Sequence, residues 1–206
     1  MVSQDDRERW NERYTAGSHV QNNQPCTVLA EHIQYAPTGH ALDVACGAGR
    51  NALYLAQQGF SVDALDISDV GIELGARAAR ENNLTIAWAC TDLLQQPRLP
   101  RDDYALILMC HFIAPELLAR LPAHLQPGGI LMLEQHLAWP ESENTQSSRY
   151  SGPRSNRFRV APGSLLAGLL AAAPELEQVS VQEGLFEQND GRIAAVSRLV
   201  LRKPPT

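Results

Sequence analysis

The stretch Leu42-Asp43-Val44-Ala45-Cys46-Gly47-Ala48-Gly49-Arg50-Asn51-Ala52 decides how this chain is read. The apolar run His40 to Cys46 fits a short buried strand, and Gly47-Ala48-Gly49 supplies a turn. Glycines at the carboxyl end of a first strand let the backbone turn sharply and approach a ligand closely. The helix that follows, Arg50 to Gln58, aims its unpaired N-terminal amides at that ligand, and they favour a negative group. Asp66 ends a second strand, Phe60 to Asp66, 19 residues beyond Gly47. An acidic side chain at that place accepts hydrogen bonds from both hydroxyls of a ribose.

Working outward, strands and helices alternate. Ser68 caps a helix that stops at Asn82-Asn83, Leu84 to Cys90 is a third strand and Tyr104 to Cys110 a fourth. Pro115 opens a helix to Leu125, Pro127-Gly128-Gly129 is a tight turn, and Ile130 to Gln135 is a fifth strand. Such alternation reads as βαβ units around a parallel sheet. Toward the N-terminus, Ser3 to Tyr14 is a charged helix, Thr15 to Gln24 a polar loop, and Pro25 to Tyr35 a second helix. The rhythm breaks after strand five. Ala138 to Ala161 is a long segment rich in Ser, Pro, Gly and Arg, Pro162 to Ala173 is a helix, and Leu176 to Phe186 and Arg192 to Leu201 form a hairpin about Asn189-Asp190-Gly191. The expected fold is α/β: a Rossmann-like, doubly wound, seven-stranded sheet, mostly parallel, with a C-terminal antiparallel hairpin. One domain spans 1–206, with a helical lid over 1–36, a binding core over 40–136, and an acceptor loop, helix and hairpin over 137–206.

The totals restrict the function. The 206 residues are 44% hydrophobic and 19% charged, which is ordinary globular composition with a full core. No apolar run approaches the roughly 20 residues of a membrane span, and the polar Met1 to Trp10 lacks the apolar stretch of a secretory signal. A cytoplasmic location is expected. The net charge of −6 disfavours a nucleic-acid partner. Cys26, Cys46, Cys90 and Cys110 form no cluster with zinc spacing, so they read as reduced structural thiols and no metal is expected.

Read alone, Gly47-x-Gly49-x-x-Ala52 also matches a dinucleotide fingerprint. A dehydrogenase, however, needs a further region for catalytic and substrate groups, and only about 70 residues follow strand five. The string Asp43-Val-Ala-Cys-Gly47-Ala-Gly49 resembles motif I of class I S-adenosylmethionine-dependent methyltransferases, and CGAGRNALYLAQQGFSVDALDIS resembles the TehB-like, tellurite-resistance family. Trp10-Asn11-Glu12-Arg13-Tyr14 is similar to that family's N-terminal W-x-x-R-Y, Thr91-Asp92-Leu93 to its adenine-contacting segment, and Leu125-Gln-Pro-Gly-Gly-Ile-Leu to its turn before strand five. Gly152-Pro153-Arg154 falls in its variable substrate region. The likeness is strong from Leu42 to Gly129 and weaker from Leu137 on.

The resemblance implies S-adenosylmethionine as cofactor, held by Trp10, Tyr14, Asp43, Ala45, Gly47, Gly49, Asn51, Asp66, Ile67, Asp92, Leu93 and Cys110. The residue chemistry agrees. The turn and helix start at Gly47 to Asn51 suit the methionine carboxylate, Asp66 the ribose diol, and Asp92 the exocyclic amine of adenine. Trp10 and Tyr14, one helical turn apart, suit a lid that excludes water. Each has a plainer rival: Asp66 and Asp92 as caps of turns, Trp10 and Tyr14 as packing residues, Arg50 as a solvated charge.

Methyl transfer needs orientation more than acid–base help, and a soft nucleophile such as a thiolate or a chalcogen oxyanion needs no base. Cys110-His111-Phe112-Ile113 lacks the [DNS]-Pro-Pro-[FY] motif of enzymes that methylate planar nitrogens. His111 is either a base with an ordinary pKa near ~6.5 or a packed, capping histidine; His136 is a second candidate on the same sheet edge. Arg149, Arg154, Arg157 and Arg159, interleaved with Tyr150 and Phe158, suit an anionic acceptor, with a solvated loop as the alternative. His111 and Arg154 are the expected catalytic pair for a small-molecule acceptor. Two other classes stay open: a nucleotide-dependent oxidoreductase, and an S-adenosylmethionine-binding module without catalysis.

Overall fold

The computed structural model of the protein describes residues 3–17, 24–95, 98–138, 149–187 and 191–205. Seven strands form one sheet: β1 (His40–Val44), β2 (Ser61–Asp66), β3 (Ile86–Cys90), β4 (Tyr104–Cys110), β5 (Leu125–His136), β6 (Glu177–Glu187) and β7 (Ile193–Arg202). Their order across the sheet is β3-β2-β1-β4-β5-β7-β6. The first five run parallel, and β7 enters antiparallel between β5 and β6. The expected fold class is the observed one. The hairpin turn at Asn189-Asp190, the loop over 18–23 and the part of the long segment over 139–148 lie outside the described residues.

Helices cover both faces. The long helices α3 (Arg50–Gln57) and α4 (Asp69–Glu81), with the shorter α2 (Thr27–His32), pack a core that contains Leu55, Val62, Leu106, Leu108 and Met132. On the opposite face α5 (Pro115–Leu118) and α6 (Ser164–Ala172) close over Leu42, Ile107, Met109, Leu131, Leu133 and Leu199. β4 is buried along its whole length, as a central strand covered on both faces must be. Each fully buried Leu or Ile there contributes about 1.5–3 kcal/mol from burial. The first helix, α1 (Ser3–Thr15), lies across the start of α4. Asn11 donates to Asp69 Oδ1 at 2.8 Å and accepts from the Ser68 hydroxyl at 2.6 Å, and Ser68 Oγ also caps α4 by accepting from the Gly71 amide at 3.0 Å.

Two boundaries differ from the sequence reading. The helix expected over 115–125 stops at Leu118 and resumes as a 3₁₀ turn, Leu121–His124. Pro122 has no amide to donate to a continuing α-helix. The turn expected at Pro127–Gly129 is instead part of β5: the Gly128 amide donates to the Lys203 carbonyl and the Lys203 amide to the Gly129 carbonyl. A register shift between Tyr104 and Leu106 takes up the irregularity. Among the described residues no helix is long and apolar enough to cross a membrane.

Candidate active site

The carboxyl ends of β1, β2 and β4 meet beneath the glycine turn. Ala45, Gly47 and Gly49 all have left-handed backbones, with φ of 56°, 59° and 79°. A Cβ on Gly47 would collide with the Tyr14 hydroxyl, and one on Gly49 with the indole of Trp88. Trp88 also comes within 2.6 Å of where a Gly75 Cβ would sit. Glycine is therefore required three times: twice for conformation and close approach, once for close approach in the middle of α4.

Two carboxylates lie under this turn. Asp66 accepts from the Gly47 amide and from the Ser68 amide, each at 2.8 Å, and is buried. Burial raises its pKa, against the pull of the Ser68, Gly47 and Ile67 amides. Asp43 is buried more completely. Burial pushes it up to about 7, while the Ala52 amide and the Arg50 charge pull it down. Its Oδ2 has no partner among the described residues. A buried carboxylate oxygen left unpaired is costly, and a cationic ligand group is one way to satisfy it.

The arrangement bears on which ligand fits. A pyrophosphate would need free glycine amides, but the Gly47 amide is already given to Asp66. It would also face two carboxylates. A ligand with an ammonium or sulfonium next to a ribose meets attraction where the pyrophosphate meets repulsion. Asp66 keeps lone pairs for hydroxyl donors, since a carboxylate offers about four acceptor sites. These residues fit S-adenosylmethionine better than a dinucleotide.

Of the other expected contacts, Trp10 and Tyr14 stack with ring centroids 6.1 Å apart, and the Tyr14 ring reaches both Gly47 and Gly71. Burial and the neighbouring Asp66, Cys46 and Asp43 push the Tyr14 hydroxyl above its ordinary range, so it is a neutral donor. Ile67 is half-buried at the end of β2. Asp92 is half-buried and caps a turn, its Oδ1 accepting from the Leu94 and Gln95 amides at 3.0 and 3.3 Å. The Leu93 side chain points into the core. Asn51 is buried, and its Oδ1 accepts from the Cys26 amide at 2.9 Å, fixing the start of α2. Cys110 is buried with its Sγ 3.0 Å from that of Cys26. No disulfide forms, and all four thiols are free.

The ends of β4 and β5 form a second centre. His111 has a left-handed backbone, φ 55°, a conformation in which histidine is enriched among non-glycine residues. Its amide donates to the Glu134 carbonyl at 2.8 Å, and its ring stacks on His136 with centroids 4.2 Å apart. Dense surrounding protein and the Arg50 and Arg198 charges lower His111 to about 4, although 31% of its side chain remains accessible from one side. Burial, the adjacent His111 and Arg159 lower His136 to about 3. The Glu134 carboxylate, 3.6 Å from His111 Nε2, is engaged with Arg198 at 3.0 Å and the Val28 amide at 3.2 Å. The lowered pKa favours a neutral imidazole at pH 7, and at 3.6 Å the contact with Glu134 is a weak one.

The arginine-bearing loop is dispersed. Arg159 is buried and donates to the Leu137 and Pro153 carbonyls. Arg157 lies over Phe158, and Arg154 and Arg149 are exposed. The structure brings His111 and His136 together but leaves Arg154 on the surface. Sequence reasoning missed Asn11, Trp88, Gln135 and the Glu134–Arg198 pair. Trp88 was readable only as a large residue in a strand, and its glycine partners are 39 and 13 residues away in sequence.

A seven-stranded sheet of order 3-2-1-4-5-7-6, with a glycine turn and two carboxylates at the ends of its first two strands, is the architecture of class I methyltransferases. Residues 41–129 match the model of a methyltransferase domain family. In fold it is TehB-like: TehB from Haemophilus influenzae superposes with a TM-score of 0.68 over 94% of this chain and 67% of that one, at 19% identity. The TehB-like S-adenosylmethionine-dependent methyltransferase from Corynebacterium glutamicum superposes with 0.60 over 98% of both chains, at 21% identity. A ubiquinone biosynthesis O-methyltransferase of Rickettsia akari is 30% identical over 112 residues, which are 52% of this chain and 43% of that protein. The chain thus aligns with less than half the length of that relative.

Proposed function

We propose that the protein is an S-adenosylmethionine-dependent methyltransferase acting on a small molecule. The observation that carries the reading is Asp43, a fully buried carboxylate with one oxygen unpartnered directly under the glycine turn. With Asp66 beside it, the turn favours a cationic ligand and disfavours the pyrophosphate of the oxidoreductase alternative.

The cofactor would supply an activated methyl group on a sulfonium, displaced in line by the acceptor. The chain's own residues bind and orient. Asp43 and Asp66 receive the cationic and hydroxyl donors, Tyr14 and Trp10 cover the turn and exclude water, and Ile67, Asp92 and the Leu93 backbone flank the base. His111 stands at the end of β4 as a neutral imidazole. It can accept a hydrogen bond from an acceptor, but a base held near 4 is poorly matched to removing a proton at neutral pH. That favours an acceptor needing little base assistance, such as a thiol. A chalcogen oxyanion would instead rest on Arg154, whose exposure leaves it screened by solvent. We take residues 1–36 as the lid, 40–136 as the cofactor core and 137–206 as the acceptor side of one domain. The four free thiols agree with a reducing, cytoplasmic setting.

Calorimetric titration with S-adenosylhomocysteine, NADH and NADPH tests the reading. Micromolar binding of the first alone is expected; binding of a nicotinamide nucleotide alone overturns it. Transfer of a labelled methyl group across a panel of thiols, phenols and oxyanions then separates an enzyme from a binding module.

A further inference from the structure

On the sheet face opposite α3 and α4, a cavity of about 220 Å³ lies between the ends of β4 and β5 and the helices α5 and α6. Met109, Phe112, Leu118 and Leu165 make its wall apolar. The space is partly open to solvent, and it is large enough for one ring, since on the order of 150 Å³ holds benzene in an engineered protein core. Two polar side chains stand in this wall, and one of them, Ser164, already donates its hydroxyl to the Ala161 carbonyl at 2.6 Å. Gln135 is 1% exposed, and its Nε2 donates to the Phe112 carbonyl at 2.6 Å. Its Oε1 has no partner among the described residues. The amide orientation is fixed, because a flipped Oε1 would face the Phe112 carbonyl, acceptor against acceptor. Gln135 and His136 are successive residues of β5 and point to opposite faces of the sheet, so the stacked imidazoles lie at the strand ends across from the cavity.

We infer that this cavity seats the methyl acceptor, and that the acceptor is an uncharged, ring-sized apolar molecule bearing a hydrogen-bond donor for Gln135 Oε1; its role as the acceptor's seat rests on the methyltransferase reading. A buried acceptor atom with nothing to bind costs free energy, and an S–H, O–H or N–H in the cavity removes that cost; this donor anchors the molecule and is distinct from the atom that takes the methyl group. An oxyanion fits poorly. Among the described residues the wall holds no cation, and the nearby Arg159 donates to backbone carbonyls. Gly168, on α6, also lines the space, and a Cβ there would meet nothing within 4 Å. A larger side chain at Gly168 would fill the cavity without touching the cofactor turn.

The test uses phenol and toluene, which match in size and differ in one donor, titrated into the whole protein with S-adenosylhomocysteine present and absent. Toluene gives up less hydration, so a purely apolar cavity prefers it. In the wild type the affinity ratio of phenol to toluene should be about tenfold higher than in Gln135→Met. Gly168→Leu should abolish binding of both while leaving S-adenosylhomocysteine affinity within twofold. Phenol should also bind alongside S-adenosylhomocysteine. A ratio unchanged in Gln135→Met overturns the role of Gln135. Phenol binding unchanged in Gly168→Leu, or phenol displaced by S-adenosylhomocysteine, overturns the placement of the acceptor. Phenol binding without any S-adenosylhomocysteine binding leaves the cavity a ligand site but defeats the methyltransferase reading, so the two failures are distinct.

Discussion

The two halves of the site use burial in opposite ways. Under the glycine turn it acts on acids, raising Asp43 to about 7 and moving Asp66 upward. At the ends of β4 and β5 it acts on bases, lowering His111 to about 4 and His136 to about 3. In both places desolvation disfavours the charged form. The consequences differ because the ligands differ. A cation arriving at Asp43 restores the charge that burial opposes, so binding and ionisation are coupled there. At the histidines a neutral apolar acceptor asks for no charge, and the imidazoles stay neutral. The cofactor half stores a cost that its ligand relieves. The acceptor half stores its own cost at the unpaired Gln135 Oε1, which a neutral donor relieves without any change of charge.

The largest expected effect breaks the cofactor half alone. Gly47→Val places a branched side chain at a left-handed backbone and against the Tyr14 hydroxyl. Binding of S-adenosylhomocysteine should fall more than 100-fold, with a cost of about 1–3 kcal/mol in stability. Because the valine also presses on α1, Asn11→Ala serves as a control: it removes the hydrogen bonds that tie α1 to Ser68 and Asp69 and adds nothing to the glycine turn. If it binds as weakly as the valine variant, displacement of the lid and not the glycine turn is responsible.

Next, Asp43→Asn should separate stability from function. A group whose folded pKa is raised favours the folded state below its unfolded value, near 3.8, and that contribution is lost as the pH rises through about 7. At pH 8 the amide, which still accepts from Ala52, should therefore stabilise the protein by on the order of 2 kcal/mol. Affinity for S-adenosylmethionine should drop at least tenfold. In the wild type that affinity should rise from pH 6 to pH 8, as ionised Asp43 becomes available. Chemical denaturation and calorimetry across that range check both; an affinity flat with pH would separate Asp43 from the ligand. Asp66→Ala should cost about 1.5–3 kcal/mol of binding by removing charge-assisted bonds.

The acceptor half should answer to pH with the other sign. Lowered histidine pKa values mean that the unfolded chain binds protons that the native one refuses. The stability contribution is present above the unfolded value near ~6.5 and lost as the pH falls toward 4 and 3. Substituting His136 by Asn should flatten the stability profile between pH 6 and pH 4 by about 1 kcal/mol, His111 being partly exposed and so worth less. With S-adenosylmethionine saturating at every pH, so that Asp43 does not contribute, the pH–rate profile should carry no acidic limb near 6.5; such a limb, lost in His111→Ala, would restore His111 as an ordinary general base. The smallest effect belongs to Arg154→Ala. An exposed arginine should change the acceptor KM less than threefold, and high salt should erase the change.

Sequence and structure divide the molecule along the same line as its two halves. The order β1, glycine turn, α3, β2 was legible because its determinants are neighbours in the chain: a short apolar run, two glycines at left-handed positions, an acid closing the next strand. The hairpin that ends the sheet was legible from two apolar runs joined by turn residues. The boundaries that moved, at Leu118 and at Pro127–Gly129, depend on the Pro122 ring and on pairing with Lys203, 75 residues away. The second half could not be read locally. Asn51, expected at the ligand, also accepts from the Cys26 amide, and Arg159 donates to backbone carbonyls. His111 meets His136, Trp88 fills the space left by Gly49 and Gly75, and Gln135 faces Gly168 across a cavity only after β4, β5 and α6 have come together. Residue types alone determined where the backbone must turn and where charge is available. Which charges are neutralised, which polar atoms find partners and which space stays open were decided by tertiary packing, because desolvation and hydrogen-bond satisfaction depend on every group within a few ångströms, whatever its distance along the chain.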